Sequence, residues 1–446
     1  MGVKLIVVCV LALFMMIPAL LVQGIIDERK SREGDVEREI SQYVGGQQTF
    51  LGPILAIPYT IPAASPVDSA KHGVYLVSPA EASSWVKTTT EERHRSLFKV
   101  PVFQADLKLD SRFDLAGVPS AAPQGAELDW SRSEILVGVS DARGALADAI
   151  LTSNGKTFIL APAELALNMA FSSDQRPPLR MALFGVHIPD LAAPNAQFSV
   201  SSALHFSGAQ RLALLSYGKT THVSQQGDWR NPGFDGGFLP VRHTITPAGF
   251  TAEWVVPFIA RGIRAEGPAD LIMELDRTAL GVSFVEVADP YQSVNRALKY
   301  VPLFLGLVFL SYFVFEVTAG KRLHPAQYIL VGIAQIIFYL LLLSFAERIG
   351  FDFGFLISGV ASVSLLAGNA GWIFASRLQG LRALVCFGLL YLLIYLMLRL
   401  EDNALLVGAL ASFAAISAAM YFTRKIDWYR PLPVPTATGT EAYDAR

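Results

Sequence analysis

The sequence predicts an α+β membrane protein: six transmembrane helices, one N-terminal and five C-terminal, with a large β-rich domain outside the membrane. Three observations predict it. The 446-residue chain is 52% hydrophobic and only 17% charged, where a soluble domain carries roughly a quarter charged residues. Its apolar residues are gathered at the two ends. The long stretch between them has ordinary polarity and a period-two pattern.

The first helix is residues 1–26. Leu5 to Val22 is a run without a charge, extended by Ile25 and Ile26. A cleaved signal peptide is the alternative. The run exceeds the ~7–15 apolar residues usual for a signal, and no small-x-small cleavage site follows at Leu21–Gly24. The sequence is therefore read as an uncleaved helix. Pro18 is tolerable inside it and is a place for a kink.

Residues 300–423 make the second apolar block. Its runs, 301–317, 326–345, 353–374, 382–400 and 404–423, are each near the ~20 residues that cross ~30 Å of hydrocarbon. Backbone polar groups cannot stay open in lipid, so the runs are helices. The loop after the second helix holds Lys321, Arg322 and His324, and the one after the fourth holds Arg377 and Arg382. Arg424, Lys425 and Arg430 follow the sixth. Acids outnumber bases in the alternate loops, which hold Glu347, Arg348 and Asp352, then Arg399, Glu401 and Asp402. Basic loops remain in the cytoplasm, so both termini are expected there. Tyr300 suits the outer interface; Trp372, Trp428 and Tyr429 suit the inner one.

Residues 27–299 then lie on the outer side. Both cysteines, Cys9 and Cys386, fall in membrane helices, so this domain folds on its own core, which ~270 residues can supply. A bacterial periplasm is the natural compartment, with the whole an inner-membrane protein. Phe103 to Phe113 alternates apolar and polar residues, as does Phe198 to Phe206, which is expected to stop at Ser207–Gly208. Residues 241–256 read as a hairpin turning at Thr246–Gly249, and Glu134 to Ser140 as a strand closing on Asp141–Gly144. Asn154-Gly155 is a tight-turn signal, and Asp35 to Tyr43 suits a short helix. The domain carries a net charge of about −5, which argues against a nucleic-acid partner. The cytoplasmic tail, residues 424–446, ends in a Pro/Thr/Ala-rich stretch read as disordered.

No metal, phosphate-loop or nucleophile-elbow motif is present, and no cofactor is implied. His72, His94, His187, His205, His222 and His243 have no ligand spacing. Ser140 lies in Gly138-Val139-Ser140-Asp141-Ala142-Arg143-Gly144, which reads as a strand end with Asp141 turning the chain and Arg143 paired nearby. In the membrane, Glu316 is read as pairing with nearby Lys321 and Arg322, and Glu347 with Arg348. Gln335, Asn369 and Ser344 can bond between helices, and Gly354, Ser358 and Ser362 form a small-residue packing strip.

Blocks along almost the whole chain resemble the CreD family of inner-membrane proteins. They include Asp35-Val36-Glu37, Leu51 to Pro58, Asp141 to Gly144, Gly185 to Pro189, Gly237 to Pro240 and Gly249-Phe250 with Trp254. The longest are Asp289 to Gln292 through Arg296, Lys299 and Tyr300, Phe315-Glu316, Arg322 to Tyr328, and Thr423 to Tyr429. The chain departs from the family in its short cytoplasmic N-terminus and its tail. The resemblance implies a role in cell-envelope integrity and stress response, within a two-component regulon associated with β-lactam and colicin responses. It carries over no catalytic residue.

Three readings follow. The first is an envelope protein that acts by binding an envelope component or periplasmic protein, without catalysis and with the bilayer as a partner. Lys321, Arg322, His324, Arg424 and Lys425 would form its cytoplasmic interface and meet anionic lipid heads. The second is a transporter or flippase with a polar cavity at Gln335, Asn369 and Ser344. The third is a periplasmic enzyme with a pocket around Asp141, Arg143 and His187. Ligand identity and oligomeric state are not encoded in any recognisable motif.

Overall fold

The computed structural model describes residues 2–63, 69–95, 98–164, 181–188, 196–284, 290–319, 321, 323–400 and 404–424. They form two compact units, Met1–Arg32 with Ala288–Arg446, and Glu33–Val287.

The first unit is helical. Its helices are α1 (Gly2–Phe14), α2 (Met16–Val44, of which the part to Arg32 belongs here), α3 (Pro290–Lys299), α4 (Val301–Ala319), α5 (Pro325–Ile349), α6 (Phe351–Phe374), α7 (Arg377–Arg399) and α8 (Ala404–Thr423). The break at Met15 precedes Pro18, whose missing N–H leaves the Phe14 carbonyl without its helical donor. Among the described residues five helices are long and apolar enough to cross a membrane: Ile6–Val44, Val301–Ala319, Pro325–Ile349, Phe351–Phe374 and Arg377–Arg399. The last expected run does form a helix, within which Leu406–Ala418 is a shorter apolar segment.

Small residues bring these helices close, as lipid-embedded packing requires. A Cβ on Gly354 would lie 2.8 Å from the Ala346 backbone nitrogen, and one on Gly332 2.6 Å from Met15. Ser358 and Ser362 are buried beside Gly354, so the expected strip is a packing face. Aromatic rings fill the interior. Tyr391 meets Phe304 and Phe338 edge-on, each at 4.9 Å between centroids, and Tyr312 stacks on Phe387.

The second unit is two β-sheets packed face to face. Its main strands are β1 (Gln48–Ile61), β2 (Lys71–Val77), β3 (Glu81–Arg95), β4 (Phe98–Asp114), β5 (Glu134–Val139), β6 (Ala182–His187), β7 (Gln197–Ala209), β8 (Arg211–Leu214), β9 (Thr220–Gly227), β10 (Gly249–Val256) and β11 (Leu280–Phe284). The ten-stranded sheet runs Pro232–Gly236, β11, β8, β1, β5, β6, Ala161–Pro162, with β2 beside the later half of β1. The eight-stranded sheet runs Arg242–Thr246, β10, β9, β3, β4, β7, Ile150–Ser153, Lys156–Ile159. Phe50 and Leu55 from the first sheet and Phe103, Leu107 and Trp254 from the second share one core.

The expected alternation on β4 and β7 is realised, and so are the strand at Glu134, the hairpin turning between Thr246 and Gly249, and the turn at Asn154-Gly155. β7 runs one residue past its expected stop. Gly208 stays paired with Phe103, and the position is glycine because a Cβ there would lie 2.4 Å from that ring. It is a glycine of close approach, not of chain reversal. The helix expected over Asp35–Tyr43 exists as the last turns of α2. It packs Val36, Ile40 and Val44 on Val100, Val102 and Ala209.

β1 had no period to reveal it. Its first ten residues are all buried, since its second face is covered by Leu271, Ile272 and Leu275. Gly52 and Pro53 sit at a register shift between Leu51 and Ile54, the irregularity that admits a proline into a central strand.

Candidate functional site

The Asp141–Gly144 turn lies where four segments converge: the end of α2, the start of β1, the end of β5 and the end of β7. Gln48 is wholly buried at the centre. Its Nε2 directs two protons at three carbonyls, those of Gly45 (3.0 Å), Asp141 (3.0 Å) and Ser207 (3.2 Å). Ser140 Oγ lies 3.0 Å from the Gln47 carbonyl and 3.2 Å from Gln48 Oε1, and accepts from Thr49 N–H at 2.9 Å. Its one proton is shared between these two oxygens and one lone pair takes the Thr49 N–H, so the hydroxyl ties the start of β1 to the end of β5. Asp141 accepts from Arg143 N (3.0 Å), Nε (3.0 Å) and Nη2 (2.6 Å). The Arg143 guanidinium holds the Asp141 carboxyl below its ordinary range, against an opposing push from partial burial. A Cβ on Gly144 would lie 2.3 Å from the Ser207 carbonyl oxygen, so only glycine fits there.

His187 is elsewhere. It pairs with Glu134 at the far end of β5 and makes a 2.8 Å hydrogen bond to the Ser133 carbonyl. At ~3.4 Å per residue, the run from Glu134 to Asp141 is more than ~20 Å. The structure thus joins Asp141 to Arg143 and keeps His187 apart, so the pocket that the enzymatic reading needs is not built from these three.

In the helical unit, Lys321 Nζ donates to the Phe374 carbonyl at 2.6 Å, capping the C-terminal end of α6. His324 is the N-cap of α5: its Nδ1 accepts from Ala326 N–H at 3.2 Å, ahead of Pro325. Arg424 lies with its guanidinium carbon 4.3 Å from the Tyr421 ring centroid. Arg322 and Lys425 lie outside the described residues.

Glu316 does not pair with Lys321. It is 2% exposed and is held by Lys4 Nζ of α1, by Leu323 N–H (3.1 Å) and by Tyr328 OH (2.9 Å). Lys4 also donates to the Leu323 carbonyl at 2.7 Å. At the opposite end of the helices Glu347 accepts from Tyr291 OH at 2.9 Å and lies 4.0 Å from Arg29 Nε, and Gln23 Nε2 donates to Asn295 at 3.2 Å. Among the described residues both carboxylates thus meet a cation of the N-terminal helix, Lys4 for Glu316 and Arg29 for Glu347, where the sequence points to cations of their own loops. About 25 residues separate Lys4 from Arg29, or ~37 Å of helix at ~1.5 Å per residue. That matches the ~30 Å hydrocarbon layer with its margins. The sequence signal for this pairing is Lys4, a lone cation directly before the charge-free run from Leu5 to Val22.

The three polar residues expected to line one cavity do not meet. Gln335 is buried and accepts from Tyr391 OH at 3.2 Å, Asn369 donates to Tyr312 OH at 3.4 Å, and Ser344 is exposed on the outer surface of α5. Among the described residues no three His, Cys, Asp or Glu side chains are grouped to hold a metal ion.

Comparison with known proteins agrees with this architecture. The family model described as "Inner membrane protein CreD" matches residues 1–429. The Inner membrane protein CreD of Escherichia coli (strain K12) is 30% identical over 433 residues, covering 94% of this chain and 91% of that protein. Long apolar helices, a large β-rich periplasmic domain and a match along nearly the full length coincide: the chain belongs to the CreD family, multi-pass inner-membrane proteins of the cell envelope.

Proposed function

We propose that the protein supports envelope integrity by binding, with the β-rich domain as the binding module and the helices as its anchor, and that it catalyses no reaction. The observation that carries this reading is the condition of the best catalytic candidates. Asp141 is tied to Arg143, Ser140 is spent on the Gln48 hub, and His187 is far along the sheet. A binding module needs an open surface instead, and the outer face of the eight-stranded sheet supplies one: along β3 every second residue from Glu81 to Thr89 is exposed.

The reading includes six crossings with both termini in the cytoplasm, and an N-terminal helix that is retained. The last point is supported by Glu316, because cleavage of α1 would remove Lys4, the cation that its buried carboxylate meets among the described residues. Lys321 and Arg424 then belong to the cytoplasmic rim, near anionic lipid heads.

The test is photo-crosslinking of the full-length protein in intact cells from positions on the domain surface, with mass spectrometry of the captured material. Capture of a discrete envelope component is expected. The Asp141→Ala, Arg143→Ala and His187→Ala variants should keep function. No capture from any position, together with loss of function in well-folded forms of these variants, would sink the binding reading in favour of an enzyme.

A further inference from the structure

The outer face of the eight-stranded sheet carries an unusual residue at its centre. Trp85 lies on β3, fourth of the eight strands, and is 42% exposed. Its neighbours across the sheet are Lys108 and Ser224. Val255 is the exposed apolar side chain that shares its surface depression, and an indole left in water there forgoes the burial that a core position would give it.

The next row of the same face crosses six strands. Val255, His222, Ser83, Asp110, Ser201 and Thr152 are successive cross-strand partners. At ~4.8 Å per strand the row is ~24 Å long. Two shallow depressions, of about 240 and 340 Å³, lie along it and share Ser83 and Asp110 as lining residues. Trp85 walls the first, and the short serine side chains leave the row low. The result is a trough beside an aromatic plane.

The chemistry of the face selects its occupant. Each carboxylate around the trough sits by a basic side chain: Glu81 by Arg112 (2.8 Å), Asp110 by Lys108 (3.5 Å), Asp106 by His205 (2.6 Å) and Glu253 by Arg242 (3.8 Å). Such a surface offers no field to a polyanion or a polycation. A protein partner is a poorer match, because serine and aspartate are depleted at protein interfaces and the depressions are shallow and open, unlike the closely packed, desolvated pockets in which hot spots cluster. A row of hydroxyls and a carboxylate beside one exposed indole instead matches a sugar, whose ring has an apolar C–H face and a hydroxyl rim.

We propose that this trough binds a linear, uncharged glycan of the wall-polymer type, with one sugar face stacked on Trp85. Asp110 accepts hydrogen bonds from its hydroxyls, and Ser83 and His222 exchange hydrogen bonds with the same rim. The assignment rests on the binding reading above and names the partner's chemistry.

The test is co-sedimentation of the full-length protein, in detergent micelles, with purified protein-free murein sacculi. The wild type is expected to sediment with the sacculi, and chitotetraose to compete, whereas polygalacturonate does not. Trp85→Ala should weaken binding at least about tenfold. Trp85→Phe should keep most of it, and Ser201→Arg, which fills the trough, should abolish it. All three variants should melt at the wild-type temperature. A wild type that stays in the supernatant, or Trp85→Ala and Ser201→Arg forms that sediment like it, would overturn the proposal. A photo-crosslinker at Ser224 in cells separates the two levels. Discrete capture of a protein and no glycan overturns the glycan assignment and leaves the binding reading standing, whereas no capture from any position on the domain removes both.

Discussion

Gly52 illustrates how a single residue type is fixed by its neighbour. A Cβ at that position would lie 2.1 Å from the Tyr217 ring, which is itself fully buried and hydrogen-bonded to Ser84 at 3.2 Å. Burial also pushes the Tyr217 phenol up to about 12, so it stays neutral at any working pH. Gly52→Ala should therefore destabilise the β-rich unit by about 1–3 kcal/mol through overpacking. Gly52→Ala combined with Tyr217→Phe should bring no rescue, since the clash is with the ring and not the hydroxyl; thermal melting of both variants checks this. Asp141 gives a pH-dependent counterpart. Its folded-state carboxyl titrates below the ordinary range because Arg143 stabilises its anion. The stabilisation is thus fully present above the unfolded-state value of ~3.9 and is lost as pH falls through the lower folded value. Asp141→Asn keeps an acceptor for the Arg143 N–H and removes the charge. It should cost under about 1 kcal/mol at pH 7, because the pair is solvent-screened. The difference from wild type should shrink from pH ~4 downward. An unchanged difference at acidic pH would count against the ion pair as its source.

At the scale of elements, what the sequence made legible was whatever a repeating environment imposes. Lipid demands length and apolarity together, so the five C-terminal runs fall on α4 to α8 with ends shifted by a few residues. A half-buried sheet demands period two, so β4, β7 and the 242–256 hairpin are readable residue by residue. β1 escaped because both its faces are dry, and Gly208 misled because close packing and chain reversal call for the same residue. Partnerships across the chain escaped altogether. Nothing local to Glu316 names Lys4, 312 positions away, while Lys321 and Arg322 look like its natural partners. The pairing has a measurable consequence. Lys4→Met takes the Lys4 cation from a buried carboxylate, leaving it to the Leu323 N–H and the Tyr328 OH, and should cost about 3–5 kcal/mol. Glu316→Gln added to it removes the stranded charge and should restore most of the loss, giving a strongly non-additive cycle. Melting of the four proteins in one detergent checks it. Additive effects would show that α1 is held by apolar packing alone.

At the scale of the whole molecule the open quantity is a parity. The described residues give five helices of membrane-crossing length and a further helix, α8, with an apolar centre at Leu406–Ala418. Five crossings would leave the chain's ends on opposite sides of the membrane; six would bring them to the same side. Charge distinguishes the two. Arg424, Lys425 and Arg430 follow α8, whereas Glu401 and Asp402 precede it. Basic residues within ~15–20 residues of a span resist translocation, so under the proposed six-crossing reading this bias should carry α8 across with its C-terminal end inward. Reporter fusions at Ser65 and Thr436 should consequently report opposite compartments, outer for the first and cytoplasmic for the second. Replacing Arg424, Lys425 and Arg430 with glutamine while placing three lysines between Leu400 and Ala404 should reverse the bias at this one helix. The Thr436 fusion should then move to the outer side in a measurable fraction of molecules, with the Ser65 fusion unchanged. If both fusions of the unaltered chain report the outer compartment, α8 does not cross. The basic cluster at Arg424 would then lie outside the cell's cytoplasm, and the inner rim would rest on Lys4, Lys321, Arg322, Arg377 and Arg382 alone.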